Sequence, residues 1–253
     1  MAVAHGSRDP RATATVEALL ERVRLARPGL AVHAAYLDHA RPSLPEVLAS
    51  LDEAVVLPLL LTDAYHTRVD IPAALREIVV TRPGIRVGQG AALGPHPLLI
   101  AALERRLTEV GVEIGSPDTA VVLVSAGSSD PRANAVIAQV AREWARYRDW
   151  HSVTPAYASA SSPTPEDAVR ELLNGQGLPS GLRRAASRVV VAPYLLAPGH
   201  FADKVRRTTL RAGAHTVADP LGAAPELLTI LLERYAHAVM RTFQARTSTS
   251  AGI

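Results

Sequence analysis

Apolar positions along this chain follow two periods that take turns. Short runs of β-type apolar residues fall near Ala2–His5, Leu30–Tyr36, Glu53–Leu60 and Ile85–Gln89, and predict strands. Between them, apolar residues spaced three and four apart predict helices near Arg11–Ala26, Leu44–Leu51, Val69–Val80 and Pro97–Val110. The second half repeats the alternation. Strands are expected near Ala120–Ser125, Ser152–Tyr157, Arg188–Leu195 and Thr216–Ala218, and helices near Arg132–Arg148, Pro165–Leu173, Ala202–Ala212 and Ala224–Phe243. Strands that alternate with helices and are apolar on both faces imply parallel sheets covered on both sides. The expected class is α/β: two similar lobes, each a roughly four-stranded parallel sheet flanked by helices. The first strand has only four residues ahead of His5, fewer than a central parallel strand normally has. It is therefore expected to be short and frayed, or to begin upstream of Met1.

The two halves also match residue by residue. Ala4-His5-Gly6-Ser7-Arg8-Asp9-Pro10-Arg11-Ala12 returns as Ser125-Ala126-Gly127-Ser128-Ser129-Asp130-Pro131-Arg132-Ala133. Val55–His66 is echoed by Val189–His200, and Leu93-Gly94-Pro95 with Leu103 and Arg106 by Leu221-Gly222-Ala223 with Leu231 and Arg234. Matched blocks in the same order indicate duplication of one unit. The polar stretch Gly115-Ser116-Pro117-Asp118 is the expected boundary, giving a first lobe over 1–117 and a second over 118–243. Residues 244–253 have no periodicity and are expected to be a disordered tail.

Composition narrows the chemistry. The 253 residues are 48% hydrophobic and contain no cysteine, so thiolate metal sites, disulfides and cysteine nucleophiles are excluded. Any metal must sit on His, Asp or Glu. The longest apolar run, Ala54–Leu61, is too short to span a membrane, and no basic region with an apolar stretch opens the chain. A cytoplasmic protein, monomeric and without membrane or nucleic-acid partners, is the expectation. The formal charge is +3 and Lys204 is the single lysine. Arginines are interspersed with acids rather than massed, which gives no nucleic-acid signature but leaves groups suited to bidentate capture of carboxylates.

In open α/β sheets, ligands bind beyond the carboxyl ends of the strands. Two histidines of the first half stand there: His5 closes the first strand, and His66 follows the Val55–Leu61 strand. Neighbouring strand ends can bring two imidazoles to one ion, and imidazole suits Fe, Co, Ni or Zn. Each histidine has a plainer alternative, a capping or packing role, and no compact His-x-x-x-His pattern exists. His39 also follows a strand end, beside Asp38; His33, His96, His151, His215 and His237 are expected to be surface or packing residues. No phosphate-binding Gly-Lys-Ser/Thr loop, dinucleotide fingerprint or nucleophile elbow occurs.

Ala4-His5-Gly6-Ser7-Arg8-Asp9-Pro10, Pro42-Ser43-Leu44-Pro45-Glu46 and Pro58-Leu59-Leu60-Leu61…His66…Asp70-Ile71-Pro72 together resemble the sirohydrochlorin chelatases, the cobalto- and ferrochelatases of cobalamin and siroheme synthesis. The resemblance covers nearly the whole chain, because long members of that family carry two fused repeats. It implies a class II, ATP-independent lyase with a cleft between two α/β lobes. It makes His5 and His66 the catalytic, metal-binding pair, and the tetrapyrrole the partner. It implies no permanent cofactor, only a divalent substrate ion, with Fe²⁺ favoured because assimilatory sulfite and nitrite reductases need siroheme, and Co²⁺ the other possibility. Ser7, Arg8, Arg41, Tyr65 and Arg68 are the expected substrate-binding residues, with Arg11 a further candidate for the carboxylates. In the second repeat Ala126 stands where the first histidine would be, while His200 keeps the second. That lobe is expected to be degenerate. The alternative is a non-catalytic tetrapyrrole or metal carrier.

Overall fold

In the computed structural model, which describes residues 1–62, 69–175 and 185–244, each repeat contributes four parallel strands. The first repeat runs β1 (Ala2–Ala4), α1 (Pro10–Ala26), β2 (Ala34–Tyr36), α2 (Leu44–Leu48), β3 (Glu53–Pro58), α3 (Ile71–Thr81), β4 (Arg86–Gln89) and α4 (Pro97–Glu109). The second runs β5 (Thr119–Ser125), α5 (Pro131–Tyr147), β6 (Ser152–Tyr157), α6 (Pro165–Asn174), β7 (Arg188–Pro193), α7 (His200–Arg211), β8 (Thr216–Val217) and α8 (Pro225–Val239), followed by a π-helical turn over Met240–Gln244. The sheet orders are β2-β1-β3-β4 and β6-β5-β7-β8, so the strand that opens each repeat lies inside its sheet.

Burial explains why these runs became strands. All seven residues of β5 are buried, as a strand covered on both faces requires, and so are all three of β1. β1 is short, as expected. β2 is also shorter than its apolar run: pairing starts at Ala2 with Ala34, and of the residues before Ala34 only His33 is bonded to β1, its carbonyl accepting from Ala2 N–H. The first helix of each repeat opens on a start signal. Asp9 accepts from the Arg11 amide at the head of α1 with Pro10 first in the helix, and Asp130 does the same for Arg132 and α5. Val16, Leu19, Leu20 and Val23 then form the buried stripe of α1.

The compact units are not the two sequence halves. One consists of Met1–His96 with Ala223–Ile253, the other of Pro97–Gly222. The boundary expected at 117/118 separates repeats in sequence, but the last helix of each repeat packs in the unit of the other. In the first unit α8 lies on β3, β4 and α1, burying Leu227, Ile230, Leu231 and Ala238. In the second, α4 packs on β7 and buries Leu99, Ala102, Leu103 and Leu107. Matched arginines fasten the two helices. Arg234 Nε donates to the Ala92 carbonyl at 3.0 Å in one unit, and Arg106 Nη2 donates to the Leu221 carbonyl at 3.0 Å in the other. Glu104 of α4 further accepts from Trp144 Nε1 and forms a two-pronged pair with Arg148. Of the expected tail, Gln244 belongs to the π turn and 245–253 lie outside the described residues.

Candidate active site

The carboxyl end of β1 and the loop after β2 are tied together by their backbones. The Leu37 amide donates to the Ala4 carbonyl and the Asp38 amide to the His5 carbonyl, at 3.1 and 2.9 Å. Gly6 permits this approach. Its φ is +95°, and a Cβ there would lie 1.7 Å from the Asp38 carbonyl oxygen. The second unit repeats the arrangement: Ser159 N–H donates to the Ala126 carbonyl, and a Cβ on Gly127 would meet the Ser159 oxygen at 1.9 Å. The Tyr36 amide closes its loop onto the Pro42 carbonyl at 3.0 Å, as Tyr157 does onto Pro163. One scaffold has therefore been built twice, with different side chains on it.

His5 is exposed on this scaffold, and its ring lies edge-on to His39, with centroids 6.5 Å apart and planes at 69°. His39 Nε2 lies 3.2 Å from Asp38 Oδ2, and its amide donates to Asp38 Oδ1 at 2.7 Å. The other expected residues have varied surroundings. Ser7 Oγ accepts from the Asp9 amide, a loop-closing bond that Ser128 copies with Asp130. Arg8 is exposed beside His5 in sequence. Arg11 is engaged with Asp9, its Nη2 2.6 Å from Oδ2, which holds the Asp9 carboxyl below its ordinary value. Arg41 pairs with Glu46, whose other oxygen accepts from the Ser43 amide at the head of α2. That guanidinium, with the two Ser43 hydrogen bonds, holds Glu46 down at about 2.

Tyr65, His66 and Arg68 lie outside the described residues. β3, the strand that leads toward them, is a direct neighbour of β1, and the Leu59 amide donates to the Val3 carbonyl at 2.7 Å. Among the described residues no group of three His, Asp or Glu side chains is arranged to hold an ion. His200 opens α7 in the second unit against Phe201, and no imidazole stands at the β5 end, where Ala126 takes the place. A cavity of about 380 Å³ in the first unit opens at the other end of the sheet, beside Met1, His33, Glu53 and Tyr235. No described helix is long and apolar enough to cross a membrane.

The CbiX family model matches residues 1–110 and again 120–238. The sirohydrochlorin cobaltochelatase of Priestia megaterium is 27% identical over 245 residues, covering 92% of this chain and 77% of its own. The sirohydrochlorin ferrochelatase of Bacillus subtilis is 24% identical over 241 residues, 92% of this chain and 88% of its own. A solved structure of SirB from Bacillus subtilis with Fe³⁺ shares the fold, with a TM-score of 0.78 over 95% of each chain at 24% identity.

Proposed function

We propose, since the chain belongs to the CbiX family through both of its repeats, that it inserts a divalent metal, Fe²⁺ or Co²⁺, into sirohydrochlorin without ATP. The observation that carries this reading is the exposed imidazole of His5, held at the carboxyl end of an interior strand by a loop that only glycine at position 6 allows. On this reading the ion is substrate. His5 and His66 bind it as neutral imidazoles and give it up as the ring nitrogens replace them. Two pyrrole N–H protons must leave as the ion enters. They pass to the imidazoles and on to water, which keeps the charge balanced without an added reductant or nucleotide.

The substrate's carboxylates need guanidinium partners. Arg8 and Arg68 are assigned that role, with Arg41 joining when a substrate carboxylate displaces Glu46. Tyr65 is assigned the ring edge, and Ser7 acts by holding the His5 loop closed. Both ions suit imidazole, so preference between them follows from supply and geometry.

The test is anaerobic incubation of the protein with sirohydrochlorin and either ion, followed by visible absorption against a control without protein. Insertion well above the control is expected. Alanine at His5 or His66 should slow it on the order of 10²-fold, the usual size of a lost general base. A wild-type rate equal to the control would overturn the proposal in favour of a carrier role.

A further inference from the structure

The two sheets differ at the amino end of their opening strands. Ala4 pairs with Tyr36 as Ser125 pairs with Tyr157, so Met1 stands where Val122 does. β5 has three further residues ahead of that point. Thr119, Ala120 and Val121 pair with Arg188, Val189 and Val190 of β7, and Ala120 and Val121 also pair with Ser152 and Val153 of β6. In the first sheet the same register leads from Met1 into the cavity of about 380 Å³, whose sides are Ala31, Val32 and His33 ahead of β2 and Glu53, Ala54 and Val55 of β3. This explains why β2 starts later than its apolar run, because a parallel ladder stops where its neighbour stops.

The cavity offers the groups an interior strand needs. Amides of alternate residues donate toward β1: Leu37 to the Ala4 carbonyl on one side, and on the other Leu59 to Val3 and Leu57 to Met1. Continuing each series in two-residue steps brings the His33 and Val55 amides to the cavity. The Met1 nitrogen already donates to the Val55 carbonyl at 2.8 Å, the bond that a peptide N–H makes at this point of a ladder. Burial pushes the Met1 amine down to about 6, whereas a peptide nitrogen there carries no charge to desolvate. Side chains alternate across a strand. Val3 clusters with Leu48 and Ile71 on the α2 and α3 side, so a residue ahead of Met1 falls on the opposite side. There Leu20 and Val23 of α1 and Leu231 of α8 form an apolar wall. At the outer end Glu53 is paired with Arg86, so its charge is already answered.

We propose that this cavity is a strand-acceptor site, filled by a three-residue, mainly apolar segment that continues β1 on the amino side of Met1. Three residues of a parallel strand span about 10 Å. The second repeat supplies their pattern, Thr-Ala-Val, and a peptide bond to Met1 fixes the register without the loss of freedom that a separate peptide incurs. The test compares the 253-residue chain with one variant bearing Thr-Ala-Val ahead of Met1 and another bearing Asp-Asp-Asp, by thermal melt and hydrogen exchange. Thr-Ala-Val should raise the melt by about 5 °C and slow exchange of the His33 and Val55 amides about tenfold or more, while Asp-Asp-Asp does neither. Failure of either readout to move with Thr-Ala-Val would overturn the proposal. An equal gain with Asp-Asp-Asp would overturn it too, because burial of apolar side chains would not be the cause. Acetyl-Thr-Ala-Val-amide added to the unextended chain tests the other occupant. Protection by that peptide, with none from the extension, would assign the cavity to a separate chain and overturn the continuation of β1.

Discussion

At the scale of single residues, the site depends on a backbone approach that one methyl group would forbid. Gly6→Ala must push the Asp38 carbonyl away and force a strained φ, at a cost on the order of 1–3 kcal/mol. Gly127→Ala meets the same obstacle at the Ser159 carbonyl. Thermal melts of the two variants should therefore fall by similar amounts. Chelatase rates should separate them, because only Gly6→Ala displaces His5. The Arg41–Glu46 pair gives a pH prediction. The Glu46 carboxyl is held down at about 2 from an ordinary 4.5, so its folded form favours the charged state. Its contribution is complete above about pH 4.5 and is lost as the pH falls through about 2. In denaturant melts, the stability difference between wild type and Glu46→Gln should be constant from pH 7 to 5 and shrink toward pH 2.

At the scale of elements, the exchanged helices make each unit depend on the other repeat's chain. Leu103 in α4 and Leu231 in α8 are buried, and truncating either to alanine removes packing worth about 2–5 kcal/mol. Both variants should melt well below wild type, although each helix belongs by sequence to the repeat it does not cover. A cut at 117/118 is more severe. A fragment of residues 1–117 keeps α4 but loses α8, which covers β3 and β4 in its own unit. Expressed alone, it should be aggregated or lack a cooperative melt; expressed with 118–253, the two should purify together. A soluble, cooperatively melting 1–117 would show that α8 is dispensable to that unit.

At the scale of the whole molecule, duplication has left one scaffold with two fates. Both repeats keep the glycine turn, the aspartate cap and the looped Tyr36 or Tyr157 amide. Only the first keeps an imidazole at the end of its opening strand. His200→Ala should accordingly leave chelatase activity within a few-fold of wild type, while His5→Ala loses on the order of 10². Comparable losses in steady-state rates would make the second unit a supplier of an essential ligand and sink the single-site reading.

Much of this molecule was legible in its sequence. The alternation of strand and helix periods, the two-fold repeat and the α/β class are local properties, because a fully apolar strand must be covered on both faces wherever it lies. The position of His5 at a strand end followed from the same pattern. Three things were decided by tertiary structure. Periodicity marks the apolar face of α4 and α8, but two duplicated sheets offer equivalent apolar surfaces, so nothing local says which one each helix covers. Arg11 and Arg41 looked available for carboxylates, yet each has an acid partner within a few residues that only the folded turns bring into reach. The meeting of His5 with His39 depends on a left-handed backbone at a non-glycine residue, and no residue pattern announces that bend. Sequence patterns record which surfaces must leave water; which surfaces then meet is set by chain geometry.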